Sequence, residues 1–212
     1  MDLSRPLAVV TPTLDGDVLT ALARADAWFT TGRLHGVLGR HSEDGIRRVL
    51  RRLVHQGIVE EQPGGNAVLY RFNRAHLAAP AVIQLADPWS ALLERLRETL
   101  AGWPVQPRFA AVFGSAARGA TGPDSDIDIL LVRPPQERPE ADWAIDVRLL
   151  EDAASRWTGN DVRVLQMTEE HVREHGRDEP VLADVASEGV PLLGDADWLR
   201  RLTDPRPLVA HD

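Results

Sequence analysis

A chain of 212 residues that is 43% apolar has material for two small folded cores, and its net charge of −8 argues against a general polyanion binder. It contains no cysteine, and every one of its 24 basic residues is arginine, which excludes disulfides, thiolate-bound metals and a lysine base or phosphate clamp. Val9 and Val10 are followed at once by Thr11 and Pro12, so no signal peptide or membrane span is expected, and a cytoplasmic setting is.

From Leu14 to Asn73 the pattern predicts a helix, a short turn, a second helix, a third helix and a two-stranded hairpin. The third helix is the clearest. Ser42 is a natural N-cap, Glu43 and Asp44 suit the positive first turn, and Gly57 stands just past the end. Ile46, Val49, Leu50, Leu53 and Val54 fall on one helical stripe, while Arg47, Arg48, Arg51, Arg52 and His55 occupy the other side. Next, IVEEQ and AVLYRF flank a turn over Pro63 to Asn66. That order resembles a winged helix-turn-helix, a fold that places one helix in the DNA major groove. From Arg33 to His55 six arginines stand against two acids, a local balance of +4, and residues 1–80 net +2 against −10 for the remainder. Duplex DNA is therefore expected only at residues 33–74, through Arg47, Arg48, Arg51, Arg52 and the wing's Arg71, with Arg74 nearby. A merely solvated arginine face, or a protein-docking module, is the plain alternative.

Residues 81–104 read as connecting helix, with Asp87 as cap, Pro88 at the first position and an end at Ala101 before Gly102. Trp89, Leu92, Leu93, Leu96 and Leu100 make its apolar stripe.

Phe109 to Val132, FAAVFGSAARGATGPDSDIDILLV, reads as an apolar strand, a Gly-Ser turn, a polar connection and a second strand. Side chains alternate along a strand, so Asp126 and Asp128 project together while Ile127 and Ile129 enter the core. Two carboxylates that close are costly unless a cation neutralises them, and oxygen donors suit Mg²⁺. Gly114 permits a sharp turn, Ser115 sits where a helix through Ala116 to Gly119 is expected to start, and Arg118 lies one turn on; free amides there suit a phosphate. A surface turn with two solvated aspartates is the bland alternative, disfavoured by the alternation with isoleucine.

At these residues the chain resembles the DNA polymerase β superfamily of nucleotidyltransferases, and within it the minimal nucleotidyltransferases found as antitoxins. The family pattern is Gly-Ser, ten residues, Asp-x-Asp, and Ala116 to Ser125 fill that gap here. The resemblance implies an α/β (α+β) domain over residues 105–212, with a small mixed sheet flanked by helices. It implies two Mg²⁺ ions and an NTP, ATP foremost, with Asp126 and Asp128 as metal ligands and Gly114, Ser115, Arg118 and Ser125 binding nucleotide. It also implies a third carboxylate on a later strand. Asp161, at the head of the alternating segment DVRVLQM, is the candidate, and Asp146 in the helical segment WAIDVRLLEDAASRW is the rival.

The tail is plainer. His171 and His175 stand one turn apart, half of a metal site without an evident third ligand. RPPQERPE, Arg133 to Glu140, predicts a stiff loop after the aspartate strand, GVPLLG a last short strand and DADWLRRL a closing helix. The leading expectation is a Mg²⁺-dependent nucleotidyltransferase that moves an NMP to an acceptor hydroxyl, a partner toxin protein among the candidate acceptors, fused to a DNA-binding module. The alternative is a winged-helix transcription regulator whose rear domain senses nucleotide without catalysis. A homodimer is left open.

Overall fold

The structure is a computed structural model and describes residues 1–119, 122–135 and 139–204. Two residues of the Ala116–Ser125 connection and the middle of the proline-rich tract lie outside these. Contacts divide the chain into two compact units, Asp2–Ala91 and Leu92–Asp212, the latter with Met1.

In the front unit, helices α1 (Leu14–Ala23), α2 (Thr31–Leu38) and α3 (Glu43–His55) pack with a three-stranded antiparallel sheet, β1 (Phe29–Thr30), β2 (Val59–Gly64) and β3 (Ala67–Phe72), in the order β1-β3-β2. Helix α3 begins where Ser42 Oγ accepts the Gly45 amide at 3.2 Å and ends before Gly57, whose φ is +79°. Its stripe Ile46, Val49, Leu50 and Leu53 is buried with Val18, Leu22, Leu34, Tyr70 and Phe72, each such side chain contributing about 1.5–3 kcal/mol. Two local expectations change. The two-residue strand β1 was not visible in the pattern, and Pro63 and Gly64 stay in the ladder opposite Val68 and Ala67, so the turn narrows to Gly65 and Asn66. Pro63 is tolerated because β2 is an edge strand. Helix α4 (Ala79–Ala86) adds Ala79 and Ala86 to the same core. Helix α5 (Pro88–Ala101) starts with the Ser90 amide on Asp87 Oδ1, as its sequence predicts.

The rear unit is a mixed four-stranded sheet, β4 (Phe109–Phe113), β5 (Ile127–Arg133), β6 (Val162–Thr168) and β7 (Val190–Leu193), in the order β6-β5-β4-β7; β5 and β6 run parallel and the other pairs antiparallel. The single turn α6 (Gly114–Ala117) follows β4 and is shorter than expected. Helix α7 (Glu140–Thr158) buries Trp143, Val147, Leu150 and Ala154 and ends at Gly159 with φ +73°. Helices α8 (Glu169–His175), α9 (Pro180–Glu188) and α10 (Ala196–Thr203) cover Phe109, Ala111, Leu130 and Val132 with Val172, Leu182, Val185, Trp198 and Leu199. By strand alternation Leu130 and Val132 share the face of Asp126 and Asp128. Both faces of β5 are thus covered, and the aspartates occupy the end of a face that is otherwise core. No helix among the described residues is long and apolar enough to cross a membrane.

Candidate active site

Asp128 is the fixed point of the site. It pairs across the ladder with Phe113, and the next residue, Gly114, turns the chain with φ +71°. A Cβ on Gly114 would come within 2.9 Å of Asp128 Oδ2, so the bend and the carboxylate are in near contact and only glycine satisfies both demands. Burial, and then the neighbouring charge of Asp126, raise the Asp128 pKa above the ordinary carboxylate value, with Arg163 opposing them.

Strand β6 brings the third acid. Its parallel register sets Ile127 beside Val162 and Asp128 beside Arg163, and the Ile127 amide donates to the Asp161 carbonyl at 2.9 Å. Asp161 therefore heads β6 where Asp126 heads β5, while Asp146 lies within helix α7. The two head carboxylates converge on one cation. Arg163 Nη1 stands 2.7 Å from Asp126 Oδ2, and its Nη2 stands 3.0 Å from Asp161 Oδ2. Among the described residues no group of three or more His, Asp or Glu side chains is drawn tightly enough to hold a metal ion by itself.

Sequence reasoning missed Asn160. Its side chain is buried, and Nδ2 lies within hydrogen-bond reach of the carbonyls of Gly122 at 3.0 Å, Pro123 at 3.3 Å and Ser125 at 2.9 Å. The loop that delivers Asp126 is thereby tied to the residue that precedes Asp161. An Asn after the Gly that follows a helical segment was the sequence signal, and it reads equally well as a cap. Ser125 spends its hydroxyl inside this loop, accepting the Gly122 amide at 3.0 Å. Ser115 sits in α6, and Arg118 pairs with Glu188 at 3.0 Å on the surface. The His171 and His175 rings stack at 4.9 Å, and His171 meets Glu179 at 3.0 Å.

The region that holds this arrangement matches the nucleotidyltransferase domain. The match spans residues 93–182, less than half of the chain, and includes every rear-unit residue discussed as a ligand or nucleotide contact. No curated protein matches. Among solved structures, one titled a toxin-antitoxin with AMP-PNP has 17% identity, covers 52% of this chain and 80% of its own, and gives a TM-score of 0.38. A second, described as a putative nucleotidyltransferase from Sulfolobus solfataricus, has 22% identity, 48% and 76% coverage and a TM-score of 0.28. The archaeal chromatin protein TrmBL2 has 18% identity, 86% and 76% coverage and a TM-score of 0.29.

In the front unit the arginines differ in availability. Arg47 pairs with Asp44 at 2.7 Å, Arg52 with Asp15, and Arg71 with Glu60 at 2.7 Å beneath the Trp28 ring. Arg48 only approaches the Asp44 carbonyl, at 3.4 Å, and Arg51 has no ion-pair partner among the described residues. Both are exposed on α3.

Proposed function

We propose that the rear unit is a Mg²⁺-dependent nucleotidyltransferase that moves an NMP from an NTP to an acceptor hydroxyl, and that the front unit is a winged helix-turn-helix that binds duplex DNA. The observation that carries the first part is the convergence of Asp126 and Asp161 on a single cation, beside Asp128 and the Gly114 bend, within a region matching the nucleotidyltransferase domain. The donor set fits magnesium: hard carboxylate oxygens in small number, which leave positions for phosphate oxygens and water.

Asp126, Asp128 and Asp161 would hold the metal, which supplies charge stabilisation to the transferring phosphoryl group. Gly114 has no side chain to obstruct a triphosphate, and the amides of the α6 turn with the Ser115 hydroxyl would offer donors to its β and γ phosphates. Among the described residues Arg118 is held by an exposed ion pair, worth little, so a phosphate can take it over. Asp161, the most exposed of the three acids, accepts the proton of the attacking hydroxyl as the α-phosphate bond to pyrophosphate breaks. The protein's contribution is position and charge. ATP is the first NTP to test, and a partner toxin protein, a small molecule or an RNA end are the acceptors to offer.

The test is pyrophosphate release and nucleotide transfer with each NTP and Mg²⁺. Loss of both in Asp126→Ala and in Asp128→Ala supports the proposal, and activity unchanged by either removes it. A second reading, a DNA-binding regulator that senses nucleotide without turnover, draws on Arg163 neutralising two of the three acids. Operator binding altered by NTP, with no turnover on any acceptor, would select it.

A further inference from the structure

Arg163 is the residue that neither the motif nor the mechanism above uses. It stands on the aspartate face of β6, beside Asp128 in register, with its guanidinium between Asp126 and Asp161. Nε reaches the same Asp161 oxygen at 3.1 Å, so the guanidinium grips Asp161 with two nitrogens and Asp126 with a third. The side chain is 63% exposed and meets no aromatic ring among the described residues, and its polar partners among them are these two acids.

We propose that Arg163 is a resident counter-cation that competes with the metal for Asp126 and Asp161 and makes metal binding depend on the nucleotide. This rests on the nucleotidyltransferase reading of the same site. A cation must neutralise two carboxylates held this close, and in the unloaded protein the guanidinium does so. Arginine cannot leave by losing its proton. It can leave only by rotating away, and a lone divalent ion offers the displaced guanidinium no new anion. A triphosphate does, because its oxygens accept the same forked donors that the carboxylates accepted. Metal alone therefore binds weakly, metal with NTP binds well, and the site stays closed to adventitious divalent ions when nucleotide is scarce.

The measurement is Mn²⁺ binding by electron paramagnetic resonance, in full-length protein, with and without a non-hydrolysable NTP analogue. Without nucleotide, Arg163→Gln is expected to bind Mn²⁺ at least about tenfold more tightly than wild type, since a unit positive charge a few ångströms from the ion is gone. Arg163→Lys keeps the charge and is expected to stay close to wild type. With the analogue, the gap between Arg163→Gln and wild type is expected to close. Equal or weaker Mn²⁺ binding in Arg163→Gln without nucleotide overturns the counter-cation role. Asp126→Asn separates the two levels: it must abolish Mn²⁺ binding in every background, and if it does not, the metal reading itself fails whatever Arg163 does.

Discussion

Two clusters of acid and arginine, one in each unit, have opposite charge balance. In the front unit Asp17 is a single buried carboxylate with three side-chain partners: Arg5 at 3.0 Å, Arg40 at 3.1 Å and His41 at 2.9 Å. Burial alone would raise its pKa, yet the hydrogen bonds from Arg5 and His41 and the arginine charges pull it below the ordinary 3.8. In the rear unit two carboxylates, Asp126 and Asp161, share one guanidinium beside a third, and the Asp128 pKa goes up. A carboxylate with surplus donors locks a structure together, whereas surplus carboxylates around one cation keep an unbalanced negative charge. The surroundings of an aspartate, more than its presence in a motif, separate the two roles.

The largest expected effect is a crossed pair of outcomes. Asp126→Ala or Asp128→Ala should lower nucleotide transfer by at least about a hundredfold while leaving the thermal midpoint unchanged or raised, since like-charge repulsion is relieved. Asp17→Asn should do the reverse, costing about 3 kcal/mol of front-unit stability by stranding Arg5. Chemical denaturation and a pyrophosphate assay on all three variants check this, and an Asp17→Asn protein as stable as wild type would dissolve the contrast. Gly114→Ala comes next. It forces a side chain to a positive φ against Asp128, at a cost of about 1–2 kcal/mol, and should impair transfer as well as stability.

The pH dependence sharpens the comparison further. Because the folded pKa of Asp17 is depressed, its contribution is fully present above the unfolded value of 3.8 and is lost as pH falls through the lower folded value. Asp128, with a raised folded pKa, acts in the opposite sense: its charged form disfavours folding above that pKa, and the penalty fades as pH falls. Stability curves should therefore show wild type and Asp17→Asn converging at acid pH, and wild type and Asp128→Asn converging there from the other side. The smallest effect concerns DNA. Arg48→Ala and Arg51→Ala should each reduce the salt slope of duplex binding by about one, and more than Arg52→Ala or Arg71→Ala, whose arginines are already paired with Asp15 and Glu60. Equal slopes for all four would make the ion pairs irrelevant.

Features set by neighbours along the chain were legible without coordinates. The start of α3 at Ser42, the start of α5 at Asp87 and Pro88, the end of α3 at Gly57 and the alternation through β5 are all local, because caps, positive φ and strand period act over one to four residues. The two-residue strand β1 was not legible, since a segment that short is a strand only through its partner β3. Nor was the burial of both faces of β5, because helices α8 to α10 return to the sheet from far along the chain.

The amino-acid order by itself determined the two-part composition, the apolar stripes and the spacing from Gly114 and Ser115 to Asp126 and Asp128. Tertiary structure alone decided that the strand headed by Asp161 pairs with the one Asp126 leads into, that Asn160 holds the loop before Asp126 by its carbonyls, and that Arg163 bridges two acids while Arg71 is tied to Glu60. The physical reason is range. Backbone preference and periodicity act between near neighbours, whereas the energy of a charge depends on every group folded around it, and those groups come together only when the sheet is complete.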